Sequence, residues 1–126
     1  MPEPRVSSTA TARAWALAHL DQPLTLRELA RQESMSVRTF TRRFREEVGM
    51  TPLRWLTRQR LEHARHLLEE TDLPVERVAA DCGFGTAASL RQHFHAALGV
   101  SPRAYRRTFR ARDDGEPDDG ADGAAA

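Results

Sequence analysis

The chain has 126 residues, 40% of them hydrophobic and only 6% aromatic, with a formal net charge of +1. That length holds one small core rather than two large ones, and a charged, aromatic-poor mixture suits a helical body better than a sandwich or a barrel. No apolar run reaches the roughly 18 residues of a membrane span and no signal pattern opens the chain, while the single cysteine, Cys82, excludes an intrachain disulfide and a multi-cysteine zinc site; together these point to the cytoplasm.

Residues 1–7 contain two prolines and no periodic pattern, and they read as a flexible leader. A first helix is predicted over about 8–20, with Ala12, Trp15, Ala16 and Leu20 on one face and Asp21-Gln22-Pro23 ending it. Thr25 caps a short helix over about 26–32, with Glu28 where a capping box needs its acid and Leu26, Leu29 and Ala30 as the inner stripe. Ser36 caps the next, about 37–47, built on Phe40, Phe44 and Val48 and stopped by Gly49. Thr51-Pro52 opens the longest stretch, about 52–69, with proline where its missing N–H costs little. Its apolar side is Leu53, Leu56, Leu61, Ala64, Leu67 and Leu68. A second short helix runs from about 74 to Cys82 on Val75, Val78 and Ala79 and breaks at Gly83. Another follows over about 87–98, with Leu90, Phe94 and Leu98 inward and Gly99 as its stop. Pro102 starts a last helix carrying Tyr105 and Phe109.

The two ends of the chain differ in charge. Residues 113–126 hold six acids and no base, so the tail over 111–126 is expected to be disordered, leaving an all-α body over 8–110. Residues 1–112 then carry 19 bases against 12 acids, a net of +7. Every base is an arginine, a fork-shaped donor suited to phosphates and guanine edges, although a coding bias explains the missing lysines equally well.

The chain nearly repeats itself. At an offset of 49, Leu26 lies on Val75, Leu29 on Val78, Ala30 on Ala79 and Met35 on Phe84. After one inserted residue the offset is 50, and Phe40 falls on Leu90, Phe44 on Phe94, Gly49 on Gly99, Pro52 on Pro102 and Trp55 on Tyr105. Each unit is a short helix, a tight turn and a longer helix, the helix-turn-helix pattern. Its second helix is held inward by two large apolar residues and can turn a polar ridge toward the major groove of DNA.

The stretch VAADCGFGTAASLRQHFHAALGVSPRAYRRTF has a Gly-Phe turn, a helix ending in Phe-x-x-x-x-Gly, then Ser-Pro and Tyr-Arg. In these features it resembles the AraC/XylS family of bacterial transcription regulators, and the resemblance covers about 12–109. The phrases TFTRRFREEVGMTP and TDLPVERVAADCGFGTAASLRQHF are most similar to the branch that joins this domain to an amidotransferase-like sensor, which is not expected within these residues. The resemblance implies seven helices in a homeodomain-like double helix-turn-helix, units over about 26–47 and 74–98 sharing the linker helix over about 52–69. It further implies double-stranded DNA as partner, with RNA polymerase a further one, and neither a cofactor nor a small-molecule effector on this chain. Eighteen helical residues span about 27 Å, against about 34 Å between successive major grooves. Either the DNA bends toward the protein or only one recognition helix inserts deeply.

Outward positions on the first recognition helix are Val37, Arg38, Thr41, Arg42 and Arg45, with Arg38, Thr41 and Arg42 as base readers. A bidentate arginine on guanine contributes about 1–3 kcal/mol of discrimination. Thr86, Ala87, Ala88, Arg91 and Gln92 occupy the corresponding places in the second unit, where Ala88, Arg91 and Gln92 are the base-reading candidates. Alanine at 87 and 88 stands where the family often has larger polar residues, which either weakens this half or leaves methyl contacts to thymine, and the first unit is expected to dominate specificity. Ser36, Arg45, Arg58, Thr86, Arg103, Arg106 and Arg107 are candidates for phosphate contacts, each with plain surface charge as the competing explanation.

An enzyme fits poorly. His63 and His66, or His93 and His95, lack the spacing of a metalloprotease pair, Cys82 has core spacing, and neither a nucleophile elbow nor a phosphate loop is present. No metal site is expected. A helical module for acidic protein partners would not need caps and arginines at the same places in two units. The acidic tail is read either as an inert solubilising end or as a shield over the basic face.

Overall fold

The structure, a computed structural model, describes residues 8–115. The predicted leader, 1–7, and the part of the predicted tail from 116 onward lie outside the described residues. Within them stand seven helices and no strand: α1 (Ala10–Ala18), α2 (Leu26–Gln32), α3 (Val37–Val48), α4 (Pro52–Glu70), α5 (Val75–Asp81), α6 (Ala87–Leu98) and α7 (Pro102–Gly115). The first helix is shorter than predicted at both ends. Thr9 does not cap α1 through its side chain; its amide and hydroxyl donate to Glu47 Oε1 on α3 at 2.9 and 2.6 Å. The last helix is longer, running through Gly115 and so converting residues 111–115 of the expected disordered tail to helix.

Local chemistry accounts for the other boundaries. Thr25 and Glu28 form a reciprocal capping box on α2. Ser36, Thr51 and Thr86 each accept the amide three residues on, capping α3, α4 and α6. Gly49 and Gly99 end α3 and α6 in the left-handed region, at φ 90° and 78°.

Two small cores lie side by side. The first gathers Ala12, Ala16, Leu29, Ala30, Phe40 and Phe44 around Leu56; the second gathers Val78, Ala79, Cys82, Leu90 and Phe94 on Leu61, Ala64 and Leu68. Trp55 meets Phe44 edge-on at 5.6 Å and Tyr105 meets Phe94 at 5.5 Å, so each aromatic buttresses its own unit. Two residues predicted inside are on the surface. Leu53 is 49% exposed and Leu98 38%. Helix α4 turns about 100° per residue, so Leu53 points the same way as Ala64, toward the second core. It stands roughly 12 Å along the axis before Leu61, the nearest α4 residue of that core, and is left half-exposed. Leu98 ends α6 one turn past Phe94 and lies on the rim of an open hollow against α4.

The repeat extends to a pair of arginines that composition and periodicity did not single out. Arg60 on α4 donates from Nε to the Leu20 carbonyl at 3.1 Å and from Nη2 to Gln22 at 2.7 Å. Arg110 on α7, 50 residues later, donates from Nε to Glu69 at 3.3 Å and from Nη2 to Thr71, acceptors 49 residues after Leu20 and Gln22. Each guanidinium thus ties the helix that follows a unit back to the segment of chain that precedes it. In the second unit the tied carbonyls are at the end of α4, which otherwise lack helical partners, and Arg106 Nε reaches a third, on Leu68, at 3.1 Å.

The turn of the second unit sits on the first unit's tie. Gly83, at φ +88°, lies so close that a Cβ there would be 2.0 Å from the Leu20 carbonyl oxygen and 2.5 Å from Arg60 Nε. Ser34 holds the same position in the first unit, with φ 55°. Left-handed backbone is therefore acceptable to a side chain in this turn, and contact between units is what requires glycine at 83.

Candidate nucleic-acid interface

Helices α3 and α6 are the second helices of the two units, and their caps shape one end of each. Ser36 Oγ takes the Thr39 amide and Thr86 Oγ1 takes the Ser89 amide, both at 3.1 Å. The amides of Val37 and Arg38, and of Ala87 and Ala88, have no acceptor among the described residues, so they remain available to an anion. The hydroxyls of Ser36 and Thr86 accept these amides and keep their own O–H to donate, so each position offers a phosphate a hydroxyl as well as the helix end.

Phe40 and Phe44 hold α3 from below and leave Val37, Arg38, Arg42 and Arg45 exposed, with Thr41 half-buried at the flank. Arg38 and Arg45 make no ion pair with a described residue, whereas Arg42 lies 3.9 Å from Glu46, an exposed and weak pairing. On α6, Leu90 and Phe94 play the inner part and Ala88, Arg91 and Gln92 are exposed. The second ridge is the less charged of the two.

Several of the phosphate candidates come together. Arg91, Arg103 and Arg106 line one hollow with the first residues of α5 and α7, which places Arg91 beside the expected phosphate binders. Arg45 and Arg58 line another at the junction of α3 and α4. Arg107 is exposed and lines neither. Arg106 is not the free surface charge the sequence suggested: its Nε is bound to Leu68, its Nη2 is buried, and burial, helped by neighbouring Arg110, pushes its pKa below the ordinary arginine value. Structural work at the end of α4 takes up much of that side chain.

The missed residues are Arg60 and Arg110, and the signal that would have found them is the offset of 50 carried five residues past Trp55 and Tyr105. Burial lowers the pKa of Arg60, partly offset by Cys82. The Cys82 thiol is pushed up to about 12, chiefly by burial, then by Asp81, against the opposing effect of Arg60. A fully buried thiol with that pKa is core filling, as its spacing indicated. Among the described residues no helix is long and apolar enough to cross a membrane.

Comparison with known proteins agrees with this geometry. A family model described as a helix-turn-helix domain matches residues 29–108. An HTH-type transcriptional regulator of Mycobacterium tuberculosis is 50% identical over 82 residues, 65% of this chain and 32% of that protein. The HTH-type transcriptional activator RhaS of Klebsiella pneumoniae is 39% identical over 94 residues, 75% of this chain and 34% of its own length. This chain thus spans about one third of the relatives it matches. Among solved structures, the DNA-binding domain of the global transcriptional factor AdpA, crystallised with a target DNA, superposes with a TM-score of 0.82 at 47% identity, covering 84% of this chain and 96% of that domain.

Proposed function

The chain belongs to the AraC/XylS-type helix-turn-helix family, and from that premise we propose that it is a sequence-specific DNA-binding regulator of transcription which sets α3 and α6 into successive major grooves of one duplex. The observation that carries the reading is a unit used twice, each time with a capped helix that is pinned by large apolar residues on one side and carries exposed arginine on the other. The AdpA domain, of the same fold, is crystallised with its target DNA. Arg38, Thr41 and Arg42 read bases in the first groove, and Ala88, Arg91 and Gln92 in the second. Arg45, Arg58, Arg103 and Arg107, with the hydroxyls of Ser36 and Thr86 and the amide ends of α3 and α6, contact phosphates; Arg106 has the smaller share. The family reads DNA and is not one of enzymes. Action on transcription adds RNA polymerase as a partner, and a duplex target places the chain at the bacterial nucleoid in the cytoplasm.

The 19 residues of α4 span about 28 Å, still short of the roughly 34 Å between successive major grooves. A modest bend of the duplex toward the protein closes that gap, and its cost depends on the sequence bent. Selection from random DNA tests the whole reading. Wild type is expected to enrich one motif, with Arg38→Ala and Arg91→Ala relaxing it at separate positions about one helical turn apart. Enrichment of no motif by the wild type refutes the function, and relaxation at the same position by both variants refutes the two-groove arrangement.

A further inference from the structure

We propose that the corner where α3 meets α4 is a phosphate clamp, in which Arg54 joins Arg45 and Arg58 to grip the duplex backbone beside the first recognition helix. This deepens the DNA-binding reading above and rests on it. The three guanidiniums line one open hollow of about 370 Å³ together with Gly49, Met50 and Thr51. Arg54 and Arg58 are one turn apart on the same side of α4, and Arg45 reaches the hollow from the last turn of α3.

All three side chains are exposed, and none makes an ion pair or a side-chain hydrogen bond with a described residue. The nearby carboxylates are engaged elsewhere: Glu46 lies by Arg42, Glu47 binds Thr9 and Arg13, and Glu62 binds Arg65 at 2.8 Å. Three like charges gathered without a counter-charge repel one another. A stripe of arginines kept for folding would have acceptors, as Arg60 and Arg110 do. The hollow also opens at the start of a 19-residue helix, whose positive end adds to the field. Forked donors converging on such a point match the two unesterified oxygens of a phosphodiester.

The repeat provides an internal control. Fifty residues on, the same corner of the second unit carries His95, Ala104 and Thr108 in place of Arg45, Arg54 and Arg58, around Gly99 and Ser101, which match Gly49 and Thr51. The helix-glycine-cap-proline scaffold is common to both corners. The arginines are peculiar to the first, so the fold does not demand them.

The test measures Kd for the full chain at 50 to 200 mM salt, on the fragment it selects from random DNA and on a scrambled one of equal length. A lost phosphate contact removes about 0.9 from the salt slope, so each of Arg54→Gln and Arg58→Gln should lose about 3.5-fold less affinity than wild type across that range, and the double variant about 12-fold less. Arg54→Lys should keep the wild-type slope, and the ratio of selected to scrambled affinity should stay unchanged in all of them. Circular dichroism melts coinciding with wild type show that the fold is intact. Unchanged slopes overturn the clamp alone and reassign the corner, an acidic protein being one occupant. A changed ratio overturns it as a backbone contact, and failure of the wild type to bind any duplex overturns the clamp and the DNA-binding reading together.

Discussion

Replacing Gly83 by alanine probes the one place where the second unit's turn touches the first unit's tie. Two costs combine there. Left-handed backbone costs an alanine about 1–2 kcal/mol, and forcing a methyl against backbone in a packed site costs about 1–3 kcal/mol more. The second applies because the nearest atom is the Leu20 carbonyl oxygen, 2.0 Å from the ideal Cβ, which cannot swing aside as a side chain can. The total, about 2–5 kcal/mol, is a large fraction of the roughly 5–15 kcal/mol that holds a domain together. Gly99→Ala is the matched control, because its φ of +78° has open space around the Cβ, and it should bear only the first cost. At about 4–8 °C per kcal/mol for a domain near this size, Gly83→Ala should melt at least about 4 °C below Gly99→Ala. Equal melting temperatures for the two variants would refute the contact between units and leave only backbone strain. Arg60→Met, which keeps the aliphatic stem and removes the fork, should destabilise by about 1.5–3 kcal/mol through its lost charged hydrogen bonds.

Other consequences can be checked by the same melts. The Glu47 carboxyl is pushed up by burial, yet hydrogen bonds from the Thr9 hydroxyl and amide and the charge of Arg13 outweigh that and hold its pKa below the ordinary value. A depressed carboxylate pKa gives stability that is complete above the unfolded value, about 4.3, and lost as pH falls through the lower folded one. Wild type should therefore lose more stability between neutral pH and the acid range than Glu47→Gln, and parallel pH profiles would count against the link between α1 and α3. Phe44→Ala and Phe94→Ala should each cost about 3–5 kcal/mol, since both rings are at most 1% exposed. A wild-type melt from either would mean that its core is wrongly assigned.

What could be read along the chain was local chemistry plus one periodic signal. Thr25, Ser36, Thr51 and Thr86 act on amides three residues away, and Gly49 and Gly99 on the helix just before them, so helix limits over 26–98 came out within a residue or two. The inner faces of α3 and α6 followed from Phe40, Phe44, Leu90 and Phe94. Helix α4 was harder because it serves two cores on different sides: a single apolar stripe swept in Leu53, which faces the second core from a point too far away to meet it. The ties made by Arg60 and Arg110 were hidden for another reason. Their acceptors are main-chain carbonyls about 40 residues away, and a carbonyl leaves no mark in a sequence. The bond from Arg106 to Leu68 was hidden in the same way. Within the candidate interface, which arginines were exposed was largely legible. How they group, Arg91 with Arg103 and Arg45 with Arg58, depends on how helices meet.

Because the two ridges differ in charge, with Arg38, Arg42 and Arg45 exposed on α3 against Arg91 on α6, a chain bound as proposed has a head and a tail. A target written backwards would be occupied end for end, with the other flank of the protein facing a neighbouring promoter. One copy on an asymmetric site can thus point, whereas a symmetric dimer on a palindrome cannot.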